Sequence, residues 1–530
     1  MLSLKQNVTK RLVAVHGWSG VVLGLLLYVV LLTGAVAVFD YEIATWSTDR
    51  VDARMALADN ATDIIETALT EVGVSEVERL NVSFAHTGEA VVYLHGLPNP
   101  DPDESRSVSM RVKIDPKTGE PTETLVGAEA DIFEHQARIL ERFLVDLHVR
   151  LHVPEPWGLF LTGILGLVMM VASISGFVIH RHLFKDLFVP ERPGKRLVSF
   201  RDRHALAGTW GLPFAVVLAF TGTFYSFALS LGLPVVSLVA FGGDREAAIE
   251  AVIGGHEHGE IAPAAMTDLN ALIARSEAAA GNKPSPGFQI HHWGLEDGEI
   301  TVFHSARTGG LLADSRKYAL ATGEYLGPSI ILGQQPSAGA AAVELMAPLH
   351  FGHFGGFVSK LVWVGLGGAL SFVTITGLQL WARKRQDEAL WRFFDRVIGI
   401  VGYGLPIAMV GAAYGFFLAL ALGDPEVWTP WAFIIVSGVC IAVGLAVRRL
   451  DLLSAIYRGS LGLGCFCLPL VRLEVGGSGW VEALAAGRPM IPTLDVFFFL
   501  TGLGYLVWLA RETVLAPAVR AEGQVAEPAE

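Results

Sequence analysis

The chain has 530 residues, of which 52% are hydrophobic and 17% charged, well under the roughly 25% charge of a soluble globular protein. Its net charge of −13, with no basic excess outside the apolar segments, argues against nucleic-acid binding. The three cysteines, Cys440, Cys465 and Cys467, include no Cys-x-x-Cys-His; that excludes covalent c-type haem attachment, and they supply no disulfide framework.

The N-terminal "MLSLKQNVTKRL" has the basic start of a signal sequence. The apolar run behind it is too long for one and lacks a small-x-small cleavage site, which predicts a retained first helix. Eight apolar segments are long enough to cross a hydrocarbon core of about 30 Å: 12–39, 157–180, 205–232, 358–381, 394–421, 431–447, 455–472 and 492–510. The seventh is the weakest, interrupted by Gly462, Gly464 and Pro469. Basic residues cluster in 181–203, 382–396 and 448–458, whereas 422–430 holds two acids and no base. With both termini cytoplasmic, all three basic loops fall inside a bacterial inner membrane.

This topology sends two long segments, about 41–146 and 240–345, to the periplasmic side. Alternating patches such as "AVVYLHGL", "SVSMRVKIDPKTGE", "GEITVFHSARTGGLLA" and "KYALATGEYLG" read as strands joined by hairpins. "DIIETALTEV" and "DLNALIARSEAAA" read as a helix before each set. The layout expected is 1–40, N-terminus and first span; 41–150, a small α+β domain; and 151–239, second span, basic loop and third span. It continues with 240–350, a second α+β domain; 351–393, fourth span and basic loop; and 394–530, four further spans and a tail. The fold class is a mainly α, polytopic bundle of eight transmembrane helices with two small extracytoplasmic α+β domains.

The first four spans form a duplicated pair. His16 is followed by Gly20, Thr33 and Gly34, and His204 by Gly208, Thr221 and Gly222, so both run His-x3-Gly-x12-Thr-Gly. His152 lies 24 residues before Gly176 in "SISG", as His353 lies 24 before Gly377 in "TITG". Of sixteen histidines, His16, His180 and His204 stand at inner helix ends, and His148, His152, His350 and His353 at outer ends. No histidine follows His353.

Histidine near a membrane core is a functional signal. A neutral imidazole offers an axial nitrogen to haem iron, and facing helices of a four-helix bundle can hold a b-type haem without covalent attachment. Gly20, Gly34, Gly163, Gly166, Gly176, Gly208 and Gly222 supply room for the ring. Two histidine layers suggest two haems b, with His16, His204, His148 and His350 as iron ligands and His152 and His180 as further candidates. Pro154 and Pro156 disturb the helix after His152. "HEHG" at 256–259 and "HHWG" at 291–294 read as solvated loops rather than metal sites. There is no flavin, nicotinamide or P-loop signature.

"HGWSG…LLTG", "LHVRLHVPEPWG…SISGFVIHRHLFKDLF", "DRHALAGTWGLPF…FTG" and "PLHFGHFGG…TITGLQLWARKR" resemble the PepSY-associated transmembrane proteins, also called iron-regulated or iron-uptake membrane proteins. "IDPKTGE" is similar to the strand-turn signature of the PepSY domain, and the resemblance covers about residues 8–390. It implies an inner-membrane haem-b electron-transfer protein that reduces ferric siderophore complexes in the periplasm, with a quinol or a cytoplasmic reductase as donor. It places the family's histidines on His16, His148, His152, His180, His204 and His350. The additional helices from about 394 to 510 have no counterpart in the shorter members. The rival expectation is a non-redox, membrane-anchored PepSY module that binds or regulates peptidases.

Overall fold

A computed structural model describes residues 5–48, 60–73, 77–84, 90–97, 108–115, 118–127, 139–179, 196–253, 262–282, 285–304, 311–312, 314–329 and 337–512. Among them are eight helices long and apolar enough to cross a membrane: Gln6–Ala37, Trp157–Ile179, Phe200–Ala240, His353–Arg383, Ala389–Leu422, Pro425–Ala446, Leu450–Glu474 and Met490–Ala510. All eight expected spans are there, with ends within eight residues of those expected. Large apolar side chains such as Val22, Val171, Phe372, Leu422, Leu463 and Leu500 remain exposed along them, as they must where lipid is the solvent.

The chain divides into two compact units. The first takes in Met1–Asp49, Arg138–Pro234 and Lys360–Glu530. Its helices are α1 (Gln6–Ala37), α2 (Asp40–Thr48) and the short α4 (Ile139–Val149), with α3 (Ala61–Val72) belonging to the second unit. Next come α5 (Trp157–Ile179) and α6 (Arg196–Phe227), the latter continued by a π-helical turn, Ala228–Gly232. Helices α1, α5, α6 and α9 (Gly356–Arg383) share one dry core of Leu27, Leu31, Leu165, Met169, Phe214, Ala215, Ala219 and Leu370. Each of the four contributes, so they form a bundle.

Four more helices follow: α10 (Ala389–Leu422), α11 (Pro425–Ala446), α12 (Leu450–Glu474) and α13 (Met490–Ala510). The glycines that weaken the seventh span in the sequence prove to be packing residues. A Cβ on Gly462 would come within 3.1 Å of both Tyr505 and Leu506 of α13, so its absence lets the two helices approach. Tyr28 donates its hydroxyl to the Gly402 carbonyl at 2.7 Å, joining α1 to α10, and Tyr414 does the same to Gly464 at 2.8 Å. Cys440, Cys465 and Cys467 are all free thiols.

The second unit consists of Arg50–Ala137 and Val235–Ser359. It holds α3 (Ala61–Val72), α7 (Leu269–Ala279) and α8 (Ala338–Phe351). The sequence predicts two separate α+β domains, but the strands form a single antiparallel sheet in the order β4-β3-β2-β1-β5-β6-β7-β8. Its first half is β1 (Val77–Phe84), β2 (Ala90–Leu97), β3 (Val108–Ile114) and β4 (Pro121–Gly127). The second half is β5 (Gly287–Trp293), β6 (Glu299–Phe303), β7 (Arg316–Ala319) and β8 (Tyr325–Pro328).

The halves join where β1 meets β5, with Leu80 opposite Ile290 and Val82 opposite Phe288. Pairing these strands removes two open sheet edges and merges two half-cores. Ile64, Ile65, Leu80, Val92, Ile273, Phe288, Ile290 and Ile300 then lie in one buried cluster. The duplication survives in the turns. Gly119 and Gly323 take φ of 72° and 68°, each inside a Thr-Gly-Glu whose last amide bonds to the threonine hydroxyl, at 3.3 and 3.2 Å. The left-handed backbone is what requires glycine there.

Candidate functional site

Three histidines of the first unit are held in the same way. His16 on α1 donates Nδ1–H to the Ala172 carbonyl of α5 at 2.9 Å. His204 on α6 donates to the Val373 carbonyl of α9 at 2.9 Å. His148 on α4 donates to the Val30 carbonyl of α1, also at 2.9 Å. The glycine four residues after each carbonyl lies against the ring. A Cβ on Gly176, Gly377 or Gly34 would stand 3.1, 2.9 or 2.7 Å from the Cε1 of His16, His204 or His148.

The residue before each glycine is Ser175, Thr376 or Thr33, and its hydroxyl bonds back into its own helix, that of Ser175 also lying 3.4 Å from the His16 Nδ1. The bonds run to Val171 at 2.6 Å, Phe372 at 2.7 Å and Val29 at 2.7 Å. A small back-bonded residue followed by glycine exposes the helix surface without leaving an unsatisfied polar group in lipid. A fourth Ser/Thr-Gly pair, Thr221-Gly222 on α6, keeps the pattern, with Thr221 bonded to Val217 at 2.8 Å.

The seat fixes the chemistry of the ring. A carbonyl oxygen only accepts, so each Nδ1 carries a proton, and in the neutral form of such a ring the lone pair is on Nε2. Burial lowers the pKa of His148, against the smaller opposing effect of the Val30 carbonyl, and so holds that ring neutral. The His16 and His204 ring centroids are 6.1 Å apart, with their planes at 70°. Two imidazoles bound in line to one metal at about 2 Å per bond set their centroids roughly 6 Å apart, and the spacing of this pair matches that figure.

Among the described residues no three His, Cys, Asp or Glu side chains converge on a metal position. A metal at the His16/His204 pair would bring its remaining donors with it, as a porphyrin does. One turn along α1, a Cβ on Gly20 would meet nothing within 4 Å, and on α6 one at Gly208 would meet only Val373 at 3.7 Å. The repeated His-x3-Gly thus clears space beside both rings. Beside His16, Gly17 lies against the Trp381 ring, which meets Trp18 edge-on at 5.4 Å and lies 3.5 Å beneath the Arg385 guanidinium.

The other candidates are placed differently. His152 is exposed, follows Leu151 in a left-handed turn with φ of 53°, and stacks on Phe143 at 4.4 Å instead of on a glycine. His350 stands in the last turn of α8, in the second unit, edge-on to Phe351 at 5.3 Å. His353 begins a 3-10 turn and stacks on Phe351 at 6.1 Å. In "HHWG", His292 donates Nδ1–H to Asp297 at 2.6 Å. His180 and "HEHG" lie outside the described residues. Sequence reasoning missed the three accepting carbonyls of Val30, Ala172 and Val373. The signal was the Ser/Thr-Gly pair four residues on. Of the glycines expected to make room, Gly34 and Gly176 seat imidazoles, whereas Gly163 seats the Phe227 ring.

A family model described as PepSY-associated TM region matches residues 13–384, which takes in α1 through α9 and leaves α10–α13 outside. An uncharacterized protein of Pseudomonas aeruginosa is 28% identical over 340 residues, covering 61% of this chain and 84% of that protein.

Proposed function

This chain belongs to the PepSY-associated TM family, and from that premise we propose that it is an inner-membrane haem-b electron-transfer protein that reduces ferric siderophore complexes in the periplasm. The observation that carries the reading is the His16/His204 pair, with each Nδ1 bonded to a facing helix and the rings 6.1 Å apart. When bound, b-type haem supplies a one-electron Fe³⁺/Fe²⁺ couple.

The chain's own residues do the rest. His16 and His204 hold the cytoplasmic-side group. His148, bonded to the Val30 carbonyl, would hold the periplasmic-side one. Val30, Ala172 and Val373 fix ring orientation and tautomer, the role that outer-shell partners of metal-bound histidines usually play. From His16 to Gly34 is about 27 Å of ideal helix, so the two layers occupy opposite ends of the bundle. The apolar core of Leu27, Leu165, Met169 and Phe214 excludes water between them. The donor is a quinol or a cytoplasmic reductase, and the PepSY sheet receives the ferric complex.

Two results follow. Gly377→Val forces the His204 ring off the Val373 carbonyl. Loss of such an outer-shell bond lowers metal affinity by about 10- to 100-fold, which a haem titration of the purified variant measures. Protein reduced anaerobically and mixed with a ferric hydroxamate siderophore is expected to reoxidise with release of chelatable Fe²⁺. Reduced protein that stays reduced would remove the siderophore-reductase assignment.

A further inference from the structure

We infer that the C-terminal helices α10–α13, which lie outside the family match, form the outer wall of the His148 seat and set the position of this histidine. The inference rests on the reading of His148 as a ligand, and its evidence is the packing of α2 and α4.

Helix α4 has eleven residues, too few for a helix that is stable on its own, so its placement comes from what it packs against. Leu140, Phe143, Leu144 and Leu147 recur at i, i+3, i+4 and i+7 and make one buried stripe. That stripe is enclosed by Leu405, Met409, Ala412, Ala413, Phe416 and Phe417 of α10 and Leu468 of α12. Ala412 and Ala413 are small enough to let α4 approach. Phe143 also meets Phe433 of α11 edge-on at 5.4 Å. On the adjoining face, His148 reaches across to α1. The histidine helix is thus held between α1 and the additional helices.

The glycine side of the seat is tied to the same helices. Beyond Gly34, α1 turns into α2, whose Trp46 is 2% exposed. The Trp46 indole donates to Asp495 of α13 at 2.8 Å, and its ring stands edge-on to Phe417 of α10 at 5.0 Å. Glu42 accepts two bonds from Lys360 at 2.9 and 2.7 Å, pinning α2 to α9 as well. The seat has little slack: the Nδ1 bond is 2.9 Å, and Gly34 lies directly against the ring. A tilt of α4 moves the imidazole off its carbonyl. Four helices without a single histidine are therefore positioning elements for a histidine outside them.

The test uses full-length protein carrying Leu144→Ala or Phe416→Ala. The control is Leu453→Ala, which truncates a buried residue of the same module that packs with Cys440 and Tyr457, away from α4. Amide exchange over 139–149 is expected to rise about tenfold in the first two variants and to stay at the parent level in the control, with 16–32 unchanged in all three. The electron paramagnetic resonance signal that His148→Ala removes should shift or vanish in the two variants, while the signal that His204→Ala removes stays at the parent position. Unchanged exchange over 139–149, or equal loss of both signals, overturns the inference. If the parent chain binds no haem, the functional reading fails, and the exchange arm alone decides whether the module holds α4.

Discussion

Purified His204→Ala protein is expected to retain half the haem of the parent chain, and His16→Ala to give the same result. On the proposed reading each imidazole would supply one of the two protein nitrogens that hold one group, so either truncation would leave a single ligand. The remaining ring cannot move to compensate, because its Nδ1 is committed to Ala172 or Val373. Haem at the His148 layer, at the other end of the bundle, should persist with its own spectrum. Folding provides the control: both variants keep the dry core around Leu165 and Phe214. With haem stripped from variants and parent alike, their melting behaviour should therefore match. Full haem content in either variant would show that the pair is not a ligand pair.

Asp495→Ala is expected to destabilise the protein by about 3–5 kcal/mol, the usual cost of leaving one partner of a buried ion pair uncompensated. Arg472 and Asp495 are 2% and 1% exposed. The arginine donates to both carboxylate oxygens, at 3.2 and 2.8 Å. Two indoles complete the shell, with Trp46 and Trp480 each at 2.8 Å. Removing the carboxylate strands a buried guanidinium and two indole donors at once. Asp495→Asn restores an acceptor for only one of the two indoles, which bond to different carboxylate oxygens, because its amide nitrogen only donates; it also lacks the charge and should recover only part of the loss. Thermal unfolding followed by tryptophan fluorescence reads both, and a shift corresponding to under about 1 kcal/mol, the size of an exposed pair, would deny the cluster its role.

The spans were legible because apolar length is a one-dimensional property: 18 or more residues either reach across a bilayer or do not. The duplication of His16 with His204 was legible for the same reason, being a spacing. The joining of the PepSY repeats was not. Val82 and Phe288 pair across more than 200 residues of chain, and nothing local tells β1 that its open edge will be met by β5. The seat was half legible. Thr33-Gly34 stood out as a motif, but its use as a surface for His148 depends on α4 lying beside α1, which α10 and α12 decide. His152 illustrates the reverse. Its spacing to Gly176 matched that of His353 to Gly377, yet a left-handed turn at Leu151 and His152 stacks its ring on Phe143.

The most direct measurement is the reduced-minus-oxidised optical spectrum of the purified full-length chain, taken together with its haem-to-protein ratio. A reducible b-type absorption at two haems per chain, falling to one in His204→Ala, is the predicted result. A chain with no reducible b-type absorption would contradict the electron-transfer reading and leave the three seated histidines as structural bonds between helices.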